Sequence, residues 1–270
     1  MSLTSFVAES HIRKSIDLII PKFSRIPPHE IFVESKTQHP AILGTAYDYA
    51  VRLELHRYCP HAFHRVWVAE QGVDSMKSGR LKDRAHTIVK QARSCTRQIL
   101  TREHFRKKIA VHALRLARLD AVYRAGIEDE TVVTSPGADE VTELLKLIDI
   151  TRFSDLTHKT FISLNPTFGR WSNRVGGADA DLISGDRLID FKTSAKLEIR
   201  PAMIRQLVGY FMLSRFARDE GEDLPNLDSL ELHFPRFDFA FSIPTRLLLI
   251  NPDFDGVERS FRASILKYYK

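Results

Sequence analysis

The chain has 270 residues, 43% hydrophobic and 27% charged, the balance of a globular protein large enough to bury a full core. Its formal charge is +6, with an isoelectric point near 9.3, which suits polyanionic or acidic partners. No run of 18 or more apolar residues occurs, which argues against a membrane-spanning helix; the opening Met1-Ser2-Leu3-Thr4-Ser5-Phe6 has no basic start, which argues against a secretory leader.

Residues 1–43 are expected to start helical and continue as irregular chain broken by Pro21, Pro27, Pro28 and Pro40. A helix is expected at about 44–57, and residues 61–150 read as a helical block. Within that block Ile88, Ala92, Cys95 and Ile99 keep helical spacing, as do Phe105, Ile109, His112, Leu116, Leu119 and Tyr123. His112 lies inside an apolar stripe and reads as a core histidine. Gly126 punctuates the second helix, and a short helix is expected from Ala138 to Leu147. Cys59 and Cys95 are the only cysteines, which suits a reducing, cytoplasmic setting.

Charge is unevenly spread. From Lys77 to Arg124 there are fourteen Lys/Arg and three acids, a net +11, leaving −5 for the rest. A single-sign excess of this kind is the footprint of a polyanion-binding surface, with Arg93, Arg97, Arg106, Lys107 and Arg115 as candidate nucleic-acid contacts. The competing reading is a solvated helical face.

Strands are expected at 160–164, 175–183 and 187–193, then a helix at 201–217 and strands at about 229–234 and 237–243. The segment from Gly177 to Lys192 reads as a hairpin turning at Gly185-Asp186. Ser184 then faces Arg187, Asp181 faces Asp190, and Asp179 faces Lys192. Alternation puts Asp179, Asp181, Asp190 and Lys192 on one face and Leu182, Ile189 and Phe191 on the other, where a core is expected. Facing like charges destabilise a strand pair, and a hard divalent cation relieves them; a plain solvated face is the alternative. In the following helix, Ile204, Leu207, Val208 and Phe211 form the apolar stripe while Gln206 and Tyr210 share the opposite flank.

An Asp followed one hairpin later by Asp190-Phe191-Lys192 at the end of an apolar strand resembles the PD-(D/E)xK nuclease superfamily. The flanking Gly176-Gly177-Ala178-Asp179 (or Asp181) and Gln206-Leu207-Val208-Gly209-Tyr210 are similar to its RecB-like branch, over about residues 40–57 and 160–235. That resemblance implies an α/β (α+β) fold: a restriction-endonuclease-like α-β-β-β-α-β core of mixed sheet, from 1–60 and 151–270, with 61–150 as a basic helical insertion. It implies Mg²⁺- or Mn²⁺-dependent hydrolysis of phosphodiester bonds, in DNA ahead of RNA. Asp181, Asp190 and the Phe191 carbonyl would hold the ion, with Asp179 or Asp48 completing the set. Lys192 would act at the attacking water, and Gln206 and Tyr210 would position Lys192 or the phosphate. Asp48, in Gly44-Thr45-Ala46-Tyr47-Asp48, stands where the branch often has His. The four-cysteine iron–sulfur cluster of some relatives is excluded by the two cysteines. Strand binding is expected from the basic block and chemistry from the hairpin. The rival expectations are a nucleic-acid-binding module without chemistry and a structural subunit whose basic helices meet an acidic protein in a larger complex.

Overall fold

The computed structural model describes residues 2–24, 26–59, 62–64, 66–95, 102–158 and 160–268. Helices α1 (Leu3–Phe6), α2 (Ser10–Ile19) and α3 (Pro40–Tyr58) come first, then the two-residue strand β1 (Phe63–His64). A helical block follows: α4 (Val68–Ser75), α5 (Arg80–Cys95), α6 (Arg102–Ala125), α7 (Ala138–Ile150) and α8 (Phe153–Leu156). The chain continues through β2 (Ile162–Leu164), α9 (Arg170–Arg174), β3 (Leu182–Ser184), β4 (Arg187–Phe191) and α10 (Pro201–Asp219). It closes with β5 (Ser229–Phe234), β6 (Phe239–Pro244), α11 (Arg246–Leu249) and α12 (Phe254–Tyr268).

The described strands make one mixed sheet, ordered as in the chain. β2, β3 and β4 form an antiparallel meander, α10 carries the chain across to β5 parallel to β4, and β6 returns antiparallel. β1 adds a short parallel edge beside β2. The chain is therefore of the mixed α and β class.

The hairpin has the expected register, with Ser184 facing Arg187, Ile183 facing Leu188 and Leu182 facing Ile189. Its turn needs Gly185, which sits at φ +61° with its missing Cβ 2.7 Å from the His158 ring. Two details depart from expectation. The first concerns residues 175–181, which do not pair with β4. Val175 closes α9, Gly176 and Gly177 take φ of +73° and +118°, and the chain then pairs with 165–167 instead. Asp179 bridges Thr167, Ala180 N–H donates to the Pro166 carbonyl and Asn165 N–H to the Asp181 carbonyl, so Asp179 does not face Lys192 across a ladder.

The second departure is that both faces of the hairpin are core. Leu182 and Ile189, joined by Phe191, pack into a cluster built from α3 (Leu43, Ala46, Tyr47, Ala50) and the helical block. Ile183 and Leu188 pack on the other side with Leu207, Val208 and Phe211 of α10 and with Leu230 and Leu232 of β5. The sheet is a middle layer, so its carboxylates can emerge only beyond the last ladder pair.

Helix α3 is buried nearly all round, between sheet and helical block, so its polar side chains require partners. Glu54 pairs with Arg106 at 3.2 Å, and Tyr49 O–H donates to Asp120 Oδ2 at 3.1 Å. Helices α4 and α6 touch at Gly72, where a Cβ would lie 2.2 Å from the Leu119 carbonyl oxygen. A buried ion pair, Arg236 with Glu143, locks the ends of the layers together. Arg236 also donates to the Thr193 carbonyl at 2.6 Å and the Val33 carbonyl at 3.0 Å, while Glu143 accepts from the Lys36 and Thr37 amides, each at 2.8 Å.

Candidate active site

The site begins where the β3–β4 ladder stops. Asp181 Oδ2 accepts the Phe191 N–H at 2.7 Å, so a carboxylate takes the place of the next ladder carbonyl and sits beside Asp190. Asp190 is 3% exposed, and its Oδ2 is paired with the Lys192 ammonium. Lys192 Nζ donates to Gln206 Oε1 at 3.4 Å, Gln206 Nε2 donates to the Tyr210 hydroxyl at 3.0 Å, and Tyr210 O–H donates to the Asp179 carbonyl at 2.7 Å. Residues 206 and 210 are one helical turn apart, which is why α10 can span the gap from Lys192 to the Asp179 backbone.

Electrostatics separate the acids from the lysine. Burial, and then the neighbouring Asp190, push the Asp181 carboxyl up to about 7, against the opposing pull of Lys192, the Phe191 amide and Arg52. Burial works against charge on Lys192, but Asp190 and Asp181 outweigh it and hold the ammonium above the ordinary lysine value. Tyr210 is raised well above its usual range by burial and by Asp190, so it remains a neutral donor.

These groups line a cavity of about 1020 Å³ that also includes Asp179, Phe191, Asp48 and Arg52 of α3, and Asp120, Tyr123 and Arg124 of α6. All eight candidate residues outside the basic block thus share one cavity. Asp48 is engaged by Arg52, one helical turn on: Nε donates to Oδ1 at 3.1 Å and Nη2 contacts Oδ2. Burial lowers the Arg52 pKa to about 10. Arg52, Asp120 and Arg124 were not expected here. The i,i+4 spacing of Asp48 and Arg52 was a usable signal for the first; nothing in the sequence links α6 to the hairpin.

The basic block departs from expectation in two ways. Its helix α6 walls the same cavity, so the regions expected to bind and to react adjoin. Part of its charge is also paired with acids that lie outside the window 77–124 in sequence and beside it in space. Arg93 makes a bidentate pair with Glu70 at 2.6 and 2.7 Å and covers the Trp67 ring at 4.3 Å. Arg84 pairs with Glu130, and Arg118 with Glu140 at 2.7 Å. Arg106 corrects the expected surface: it is buried between Glu54 and Asp149, so it does not face solvent. Arg115 is half-buried, with Nη2 3.4 Å from Ser135 Oγ; Lys107 is exposed; Arg97 lies outside the described residues. His112 sits in the helical packing as expected, its pKa lowered to about 4 by burial.

Asp181 and Asp190 offer the hard oxygens that Mg²⁺ or Mn²⁺ takes from one or two carboxylates, and a cation between them would relieve the repulsion that raises Asp181. Among the described residues no group of three or more His, Cys, Asp or Glu is already gathered as a metal cage. None of their helices is long and apolar enough to cross a membrane. Comparison with protein-family models, curated proteins and solved structures finds no match.

Proposed function

We propose that this chain is a divalent-cation-dependent nuclease with a restriction-endonuclease-like core of the RecB-like kind, acting on nucleic acid and on DNA ahead of RNA. The observation that carries it is the convergence of Asp181, Asp190 and Lys192 at the open end of the β3–β4 hairpin, with Gln206 and Tyr210 hydrogen-bonded to one another behind them. The order α3, β2-β3-β4 meander, α10, β5 supports the core assignment.

Asp181 and Asp190 would hold the cation, with the Phe191 carbonyl beside them. The cation supplies Lewis-acid stabilisation to the charge that develops on the phosphate. Lys192, kept protonated by its two acidic neighbours, serves as a fixed positive charge at the reacting phosphate rather than as a base. Gln206 holds the Lys192 ammonium, and Tyr210 fixes Gln206 to the Asp179 backbone.

The experiment is incubation of the full chain with linear, circular and single-stranded DNA and RNA in Mg²⁺, Mn²⁺ or chelator. Cleavage is expected only with metal, and Asp190→Ala and Lys192→Ala should lose it by about 100-fold or more, the range a single positioned electrostatic group contributes. Wild-type rates in folded Asp190→Ala would overturn the mechanism.

A further inference from the structure

We propose that Arg52 is a phosphate-binding residue of this cavity and that Asp48 holds it in position instead of ligating a cation. The proposal takes its substrate class from the nuclease reading and stands otherwise on the geometry of α3. Arg52 is 6% exposed although it lines a polar cavity. Arginine is seldom that buried without full pairing. Its pairing here is incomplete: Asp48 engages Nε and Nη2, while Nη1 is buried with no hydrogen-bond partner. A fork with one occupied edge and one unsatisfied corner is the donor set that a phosphate oxygen completes.

The location fits the same role. Asp181, Asp120 and Asp179 act electrostatically on Arg52, which lines the same cavity as the acids from a different element than Lys192. Arg124, the next cation along, is tied to Asp120 at 2.5 Å and is half exposed. Both oxygens of Asp48 are engaged by Arg52, the bidentate hold that fixes a guanidinium in place. Withdrawing Asp48 toward a metal would strand a buried guanidinium. The lining holds five carboxylates (Asp48, Asp120, Asp179, Asp181, Asp190) against Arg52, Arg124 and Lys192, so an anion should enter with the cation present.

The test measures two affinities separately in the full chain. Fluorescence anisotropy of a labelled thymidine octanucleotide in Ca²⁺, across a salt series, reports strand binding; electron paramagnetic resonance of free Mn²⁺ without oligonucleotide reports cation binding. Arg52→Gln should weaken the strand at least 10-fold and reduce the salt slope by about 0.7, the loss of one phosphate contact on a single strand. Arg52→Lys should keep the slope and bind at least 3-fold more weakly, because it keeps the charge and loses the fork. Asp48→Asn should bind Mn²⁺ within 3-fold of wild type.

Wild-type affinity and slope in folded Arg52→Gln would overturn the proposal, as would a loss of Mn²⁺ beyond 10-fold in Asp48→Asn. If Arg52→Gln does not fold, wild-type affinity in Arg52→Lys overturns it alone. A wild-type chain that takes up Mn²⁺ but no oligonucleotide also defeats the role of Arg52. One that binds the oligonucleotide through Arg52 but takes up no Mn²⁺ defeats the metal-dependent reading and leaves Arg52 standing.

Discussion

Replacing Arg236 by methionine should be among the most damaging single changes away from the cavity. The guanidinium is 1% exposed and its partner Glu143 is 3% exposed. Arg236→Met removes the ion contact and the hydrogen bonds to the Thr193 and Val33 carbonyls, leaving Glu143 with only the Lys36 and Thr37 amides. Removing one partner of a buried pair costs about 3–5 kcal/mol, chiefly because the other charge is left uncompensated. Methionine fills much of the vacated volume, which offsets part of the two orphaned carbonyls. A net loss of about 4 kcal/mol follows, or about 8–16 °C in Tm for a chain of this size. Urea denaturation followed by circular dichroism measures it. Glu143→Leu in the Arg236→Met background should recover about 2 kcal/mol or more, since the apolar double variant leaves no charge stranded. A loss under about 1 kcal/mol in the single variant, or strictly additive effects in the double, would refute the assignment of Arg236 and Glu143 as a compensating buried pair.

Asp181, raised to about 7, binds a proton in the folded state that the unfolded chain has already released above its carboxylate range; its ionisation therefore subtracts stability progressively between about pH 4 and 7. Asp181→Asn should accordingly stabilise the chain above pH 7, by up to about 4 kcal/mol before allowance for solvent at a half-buried carboxylate, and the gain should vanish near pH 4; paired melts at the two pH values decide it. In wild type the same proton competes with cations, so Mn²⁺ affinity measured by paramagnetic resonance should fall about tenfold per pH unit below 7. Gly72→Ala must move α4 off the Leu119 carbonyl and should cost about 3 kcal/mol by denaturant titration, whereas Gly256→Ala, in helix α12 with open space around its position, should be neutral or stabilise by up to about 1 kcal/mol. Arg106→Glu should unfold or severely destabilise the chain by setting three acids together with Glu54 and Asp149, while Lys107→Glu should stay within about 0.5 kcal/mol; equal melting temperatures for the two would contradict the burial of Arg106.

The sequence was most legible where local periodicity and tertiary role coincide. The β3–β4 register, the β5 boundaries and the one-turn spacing of Gln206 and Tyr210 follow from alternation and helical spacing, and the structure has all of them. It was least legible where a residue's partner lies far along the chain. Arg106 looks like surface charge because Glu54 and Asp149 are 52 and 43 residues away. The diversion of residues 175–181 depends on α9 and on two positive-φ glycines, whose effect on pairing cannot be read from apolar alternation. Both faces of the hairpin are buried because α3 and the helical block cover one and α10 the other, and a two-fold alternation cannot report a second layer.

Lys192 has little conformational freedom left to surrender. Its amide donates to the His233 carbonyl at 2.8 Å and the next residue's carbonyl accepts from Arg236, so the peptide on each side is pinned by β5 and the turn beyond it. The ammonium is tethered at its far end by Asp190 and Gln206. Immobilising a free lysine side chain forfeits up to about 2 kcal/mol of rotamer entropy. Here that ordering is completed as the chain folds, so an incoming ligand meets a rigid cation rather than a flexible arm. Enthalpy should dominate the binding signature, and variants that loosen the pinning from a distance, Arg236→Met among them, should weaken binding through an entropic term while every group lining the cavity is still present.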